Sequence, residues 1–363
     1  MNYDTMKALE VKTVLDKLHL RKVYLELTQR CNLNCISCLS QNWGGELHEM
    51  SQDTLDRCLR DLHANPDLEE IVLGGIGEPT THTRFNQIVK DLPDVTLSIT
   101  TNAFFWSDET IDTLARNFER VIISVDGLPG TFEVIRNFDL NRLFNNVSRL
   151  IQRRTELGLH RPFLIAQLVL SEYNIDDVST LIPLLHKHGF MKLILSNLLP
   201  QNAEDADKIV YALHDNQRMK QKRNEWLNLC LSNQLQVKFP NIELKTERKC
   251  VFIEDGTMTI NSDGNVSSCY RFAHPSVEYV FGRRKQVYPY HYGNVNQNTM
   301  REIWDTRQYR DLRLQNLANR FPSCPDCDLV DSCDYVNDSQ CDCKGQNPSC
   351  ADCLWTRGFV ECI

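Results

Sequence analysis

Three thiols fall within one short stretch, LTQRCNLNCISC, at Cys31, Cys35 and Cys38. The CxxxCxxC spacing follows directly on an apolar, β-rich run from Val23 to Thr28. Thiolate is the ligand form of cysteine, and three on one loop can hold three corners of a cubane iron–sulfur cluster. The fourth iron is then left without a protein ligand, open to bind a small molecule and do chemistry on it. A structural zinc site instead takes four ligands from paired short knuckles, which a lone group with x3 then x2 spacing supplies poorly.

Chemistry at an open iron needs other groups to hold the ligand, and three further constellations offer them. Gly74, Gly75, Gly77 and Glu78, in GGIGEP, form a glycine-dense turn that exposes backbone amides and carbonyls to a polar ligand. The same glycines also suit a tight strand-to-helix turn with no ligand. Thr100, Thr101 and Asn102 end one β-rich run, and Ser124 and Asp126 end the next. Hydroxyl, amide and carboxylate groups there can hydrogen-bond a ribose or a carboxylate, or simply cap turns. Arg136, in TFEVIRN, can meet an anionic ligand or sit in a surface ion pair.

The elements that must position these groups alternate regularly. Strands are predicted at Val23–Thr28, Glu70–Gly74, Val95–Thr100, Arg120–Val125, Phe163–Leu170 and Lys192–Leu198. The helical segments between them open on Ser51, Ser107 and Asn174, and two stop at Gly158 and Gly189. Successive β–α units imply parallel strands with right-handed crossovers. An open doubly wound sheet and a partial barrel both satisfy that pattern. Every unusual motif, however, sits at the C-terminal end of a strand, where parallel α/β folds, and barrels in particular, assemble their sites. Residues 1–20 read as an N-terminal helix, 21–200 as the α/β body, 201–245 as a polar bridging helical segment and 246–363 as a cysteine-rich domain. Cys58 and Cys230 fall on helices, as small packed hydrophobes.

Ten of the 15 cysteines lie at or beyond Cys250. Cys250 and Cys269 flank a predicted hairpin whose Asp263-Gly264 turn brings both thiols to one side. Cys324, Cys327 and Cys333 follow, then Cys341, Cys343, Cys350, Cys353 and Cys362. The tail is poor in apolar sequence, so metal binding is expected to drive its folding. CxxC pairs of this kind also occur in multi-zinc domains.

The chain has 363 residues, 42% hydrophobic and 24% charged, with a formal net charge of −8 and no Lys/Arg-rich block. That balance argues against a nucleic-acid partner. No apolar run of about 18 residues suggests a membrane span, and the N-terminus lacks a signal-peptide core, so a cytoplasmic location is expected. In a reducing compartment fifteen cysteines read as metal ligands before disulfides.

At Cys31, Cys35 and Cys38 the sequence resembles the radical S-adenosylmethionine (radical SAM) superfamily. The resemblance implies a partial (β/α)6, TIM-like barrel whose cluster cleaves SAM to a 5′-deoxyadenosyl radical. It also implies that the GIGEP segment corresponds to the family's GGE element, which holds the substrate ammonium, and that Thr100, Asn102, Ser124, Asp126 and Arg136 bind the cofactor. Ser37 departs from the family, where an aromatic residue often lies against the adenine. The tail resembles the SPASM extension, a small C-terminal domain with two auxiliary [4Fe–4S] clusters. Cys250 and Cys269 then belong to the nearer cluster and Cys324, Cys327 and Cys333 to the distal one. Asn337 stands where the pattern expects its next cysteine, leaving the roles of Cys341, Cys343, Cys350, Cys353 and Cys362 open. The ending CDCKGQNPSCADCLWTRGFVEC and LSNLLPQ resemble radical SAM maturases found beside tungstopterin oxidoreductases.

The expectation is therefore a radical SAM maturase carrying three [4Fe–4S] clusters and SAM, fed by a flavodoxin or ferredoxin. It would abstract hydrogen from a peptide or protein encoded nearby and leave an oxidised or cross-linked product. Tyr270 and Arg271 follow Cys269 where sulfatase maturases carry an acidic base, and they are the catalytic candidates. The alternatives are a sulfatase-maturase-like enzyme, a small-molecule radical SAM dehydrogenase, or a non-catalytic metal-binding or electron-transfer protein.

Overall fold

A computed structural model describes residues 18–38 and 47–361 of the chain. Period-2 alternation decides which way each strand faces. Six β/α units run as β1 (Lys22–Leu25), α1 (Gln52–Ala64), β2 (Glu70–Leu73), α2 (Phe85–Asp91), β3 (Thr96–Thr101), α3 (Asp108–Asn117), β4 (Arg120–Ser124), α4 (Thr131–Arg136) with α5 (Leu140–Glu156), β5 (Phe163–Leu170), α6 (Val178–Lys187), β6 (Lys192–Asn197) and α7 (Gln217–Ser232). The chain continues through β7 (Gln236–Lys238), α8 (Val251–Glu254), β8 (Thr257–Ile260), β9 (Asn265–Ser267), β10 (Ser276–Val280), β11 (Arg283–Val287), β12 (Gly293–Asn294), α9 (Met300–Trp304) and α10 (Arg307–Leu317).

Strands β1 to β6 lie side by side in sequence order, all parallel, forming the partial (β/α)6 barrel. Val23, Leu25, Ile71, Leu73, Val121, Ile123, Leu193 and Leu195 face the helices in the main core. Each such side chain, fully buried, contributes about 1.5–3 kcal/mol. The alternate residues face the concave side, where Ile122, Ile165 and Ile194 form one small cluster and Tyr24, Val72 and Phe252 another. Beneath them Glu70 accepts from Ser98 Oγ at 2.8 Å and meets Arg120 at 2.6 Å and Lys22 at 3.4 Å. Charge thus closes the N-terminal end of the sheet and apolar packing fills its middle, which leaves the C-terminal rim for chemistry.

Helix signals hold at Ser51 and Ser107, whose side chains accept from Thr54 and Thr110 backbone N–H. Gly158 and Gly189 follow the ends of α5 and α6 with φ of +66° and +79°, the left-handed conformation that terminates a helix. Asn174 corrects the expectation. Its Oδ1 accepts from Ser171 N–H at 3.0 Å within a turn, and α6 begins later, after Asp177. The 201–245 segment, expected as helix alone, also adds β7 parallel to β6. At the opposite edge β8 pairs parallel with β1, and the β8–β9 hairpin turns at Gly264, φ +81°. The cysteine-rich segment therefore extends the sheet it adjoins. The helix expected over 1–20 and Cys362 fall outside the described residues, except for 18–20, which are not helical.

Candidate metal and substrate site at the barrel rim

β1 delivers the chain straight into the three-cysteine loop. Burial pushes the Cys31 thiol up to about 11, and Glu78, Cys38 and Cys35 add to the rise. Burial also raises Cys35, while the Arg136 guanidinium works against it. The three thiols are thus near enough to repel as thiolates, an arrangement that a cationic iron centre relieves. Nitrogen donors already address them: Asn102 Nδ2 lies 3.7 Å from Cys31 Sγ, and Arg136 Nη1 lies 3.8 Å from Cys35 Sγ. Burial disfavours the Arg136 charge, but Asp126 at 2.5 Å and Cys35 more than restore it. Asp126 is held in turn by the Val169 N–H at 2.8 Å.

Close packing explains two of the glycines. A Cβ on Gly77 would lie 2.2 Å from the Thr28 carbonyl oxygen, and one on Gly75 would lie 2.5 Å from the Glu26 side chain. Gly75 also has φ of +139°. The loop after β2 is thereby pressed against the strand that feeds the cysteines. The buried Glu78 carboxylate accepts from Thr101 Oγ1, Asn102 N–H and Thr80 Oγ1, each at 2.7 Å, and ties that loop to the end of β3. Burial raises its pKa despite these bonds.

Beside the loop is a cavity of about 280 Å³, walled by Ser37, Gly75, Thr100, Gln167 and Ser196 from the barrel and capped by Tyr270 and Arg271. The Tyr270 hydroxyl lies 3.1 Å from where a Gly74 Cβ would be, and its ring stacks edge-on against Tyr24 at 4.7 Å. Ser37 Oγ reaches Asp205 Oδ2 at 3.5 Å, and Tyr173 donates to the same carboxylate at 2.9 Å. Ser124 ends β4 opposite Gln167.

The late cysteines sort into two groups. Cys250, Cys269, Cys350 and Cys353 surround a small cavity of about 20 Å³ beneath Tyr270 and Arg271. Burial raises all four, to about 12 at Cys269, and each of Cys250, Cys269 and Cys350 is raised further by its neighbours. Asn316 Nδ2 addresses Cys350 Sγ at 3.9 Å. Farther out, burial pushes Cys324 up to about 12, with Asp352, Cys333 and Cys343 adding to the rise. Cys327 and Cys343 are exposed at this second group, and the Cys341 sulfur turns to the Asp342 carbonyl at 3.3 Å. Among the described residues no disulfide forms. Four mutually repelling buried thiols with N–H donors suit a cluster held at separate irons.

Residues 25–185 match the radical SAM superfamily, and residues 250–328 match the SPASM iron–sulfur cluster-binding domain. A protein of Pyrococcus furiosus named tungsten-containing aldehyde ferredoxin oxidoreductase cofactor-modifying protein is 37% identical over 348 residues, covering 94% of this chain and 97% of that one. The chain belongs to the radical SAM superfamily. A GTP 3′,8-cyclase of Clostridium perfringens is 24% identical over 45% of the chain and 51% of its own length. Among solved structures, SuiB of Streptococcus suis bound to S-adenosylmethionine superposes with a TM-score of 0.62 at 16% identity, over 92% of this chain and 78% of that one. The AdoMet-bound anSMEcpe superposes at 0.58 and 16% identity, over 93% and 94%. These two likenesses show the fold alone.

Two residues of this radical SAM protein escaped the reading of its sequence. Glu26, 3% exposed, accepts from Ile76 N–H at 3.1 Å, Ser262 N–H at 3.3 Å and His274 Nε2 at 2.9 Å. One carboxylate therefore joins the loop after β2 to the SPASM hairpin and holds an imidazole in the cavity wall. A lone charge within the apolar run Val23–Thr28 was the available signal for Glu26. His274 had none, because nothing near it in sequence marks it.

Proposed function

We propose that this radical SAM enzyme abstracts a hydrogen atom from a peptide or protein side chain and yields an oxidised or cross-linked product, in service of a tungsten-dependent oxidoreductase. The observation that carries this reading is one cavity bounded by the cysteine loop's neighbour Ser37, the strand ends and the turn that follows Cys269. Cys31, Cys35 and Cys38 would hold a [4Fe–4S] cluster, which when reduced would supply the one electron that splits SAM into methionine and a 5′-deoxyadenosyl radical. Asn102 and Arg136 orient the thiolates that hold it, and Asp126 keeps Arg136 charged. Gly75 lets the backbone approach the ligand at the cavity wall, Gly74 makes room for the Tyr270 hydroxyl, Gly77 seats the loop against the cysteine-bearing chain, Glu78 braces that loop, and Thr100 and Ser124 offer polar atoms at the rim. Cys250, Cys269, Cys350 and Cys353 would hold a second cluster, and Cys324, Cys327, Cys333 and Cys343 a third. Ile76, Val169, Leu198 and Val360 in the cavity wall would help exclude water from the radical, and Tyr270, between cavity and near cysteines, offers a hydroxyl to the reacting substrate. A flavodoxin or ferredoxin is the expected donor in a cytoplasmic setting, and no helix among the described residues is long and apolar enough to span a membrane.

The name of the Pyrococcus relative favours a second reading, in which the oxidoreductase's cofactor is itself the substrate. The test is to incubate reconstituted enzyme, SAM and dithionite with the tungsten-dependent oxidoreductase and small polypeptides encoded beside it, then weigh every component by mass spectrometry. A mass change in a polypeptide supports the first reading. A change confined to extracted cofactor, or to a free metabolite, overturns it.

A further inference from the structure

Arg271 is 5% exposed and sits on the turn that follows Cys269. Its Nε meets both Glu278 carboxylate oxygens at 3.0 Å, and Nη1 donates to the Ser349 carbonyl at 3.1 Å, next to Cys350. Nη2 is buried and has no hydrogen-bond partner among the described residues. Natural proteins rarely leave a buried donor unsatisfied, because its desolvation is then uncompensated. The same side chain lines the cavity between Cys250, Cys269, Cys350 and Cys353. A buried cation with a spare N–H, set among four thiols, is a site built for an anionic group carrying acceptor atoms.

Arg271 stands at the cavity of these thiols with its Nε committed to Glu278 and its Nη2 unpartnered among the described residues. The distal group is served differently. Lys285, facing Glu278 across the β10–β11 hairpin, is 1% exposed and donates to the Val336 carbonyl at 3.1 Å. That lysine also faces the Asp352 carboxylate at 4.0 Å, so its charge is already paired.

We propose that Arg271 is a fixed internal cation and N–H donor to the iron–sulfur cluster held by Cys250, Cys269, Cys350 and Cys353, and that it raises that cluster's reduction potential. This rests on the reading above that such a cluster occupies the four-cysteine group. Reduction adds an electron to a thiolate cluster that is already anionic, so a neighbouring cation and a hydrogen bond to sulfur stabilise the reduced form. The near cluster thereby becomes the electron acceptor beside the cavity. Arg271 acts through it as a positioning residue and does not serve as a base.

The test is EPR-monitored potentiometry on the full-length, anaerobically reconstituted protein. The near signal is assigned as the one missing from C350A/C353A. Removing one member of a buried ion pair endangers the fold, so the pair is removed together as R271M/E278M, with R271K retaining the charge. R271M/E278M is expected to weaken one-electron reduction of the near cluster at least tenfold, about 59 mV, with the other two signals moving less than twofold. R271K is expected to lose less than threefold. An unchanged near potential at full iron content overturns the proposal. So does an equal shift of all three signals, or loss of the near iron from either variant. The substrate reading is separate: a potential shift without any polypeptide mass change counts against the substrate alone.

Discussion

Cys31, Cys35 and Cys38 share one loop at the end of β1, part-exposed at the mouth of the sheet, whereas Cys250, Cys269, Cys350 and Cys353 reach a common enclosed cavity from two distant stretches of chain. The first group has three half-buried thiols on one loop, which also brings Ser37 to the cavity wall. The second has four, with Tyr270, Arg271, Phe252 and Trp355 packed around it. Under the proposed function the incomplete ligand set would leave an iron open to SAM, and the complete one would hold a cluster that accepts an electron.

The comparison breaks most sharply if the local group is removed. C31A/C35A/C38A is expected to abolish 5′-deoxyadenosine formation, a loss of at least a hundredfold, while total iron falls from about twelve to about eight. Iron near eight in the unaltered protein would show that one auxiliary group binds no cluster. C350A/C353A should do the reverse. It should lose about four irons and lower the melting temperature, because a cluster there would hold this segment together, yet retain slow SAM cleavage with dithionite. Equal loss of cleavage in both variants would erase the distinction between the groups. Gly77→Ala drives a methyl into the Thr28 and Arg30 carbonyls, 2.2 and 2.6 Å away. The expected cost is about 2–4 kcal/mol, seen in chemical denaturation, with iron depleted from the first group only.

Smaller changes sharpen the contrast. Tyr270→Phe keeps the ring packed on Tyr24 and Phe252 and removes the hydroxyl near Gly74. Substrate turnover, measured by product mass, is expected to fall about tenfold, about 1.4 kcal/mol, with uncoupled SAM cleavage unchanged; equal losses in both would deny it a role toward substrate. Least affected should be Cys58→Ala, since Cys58 is wholly buried on α1 outside all three groups. It should cost about 1 kcal/mol and no iron, and iron loss would expose a long-range coupling that the packing does not contain.

The six strands, their order and the rim that carries the motifs were legible before folding. Apolar β-rich runs and polar caps are local, and parallel β/α connection follows from their succession. The first cysteine group was legible for the same reason, as all its thiols lie on one loop. Asn174 misled because its side chain satisfies a turn as readily as a helix end, and β7 hid because three residues carry too little pattern. Partnership across long separations was not legible at all. Spacing could not say that Cys350 and Cys353 join Cys250 and Cys269 while Cys343 joins Cys324 and Cys333, nor that Glu26 clasps His274. The sequence by itself determined which residues can ligate metal and on which rim they stand, because residue type and strand period are written locally. Only the tertiary structure decided which thiols meet and which charges face them, because those depend on β8 pairing beside β1 and on burial that no short segment can provide alone.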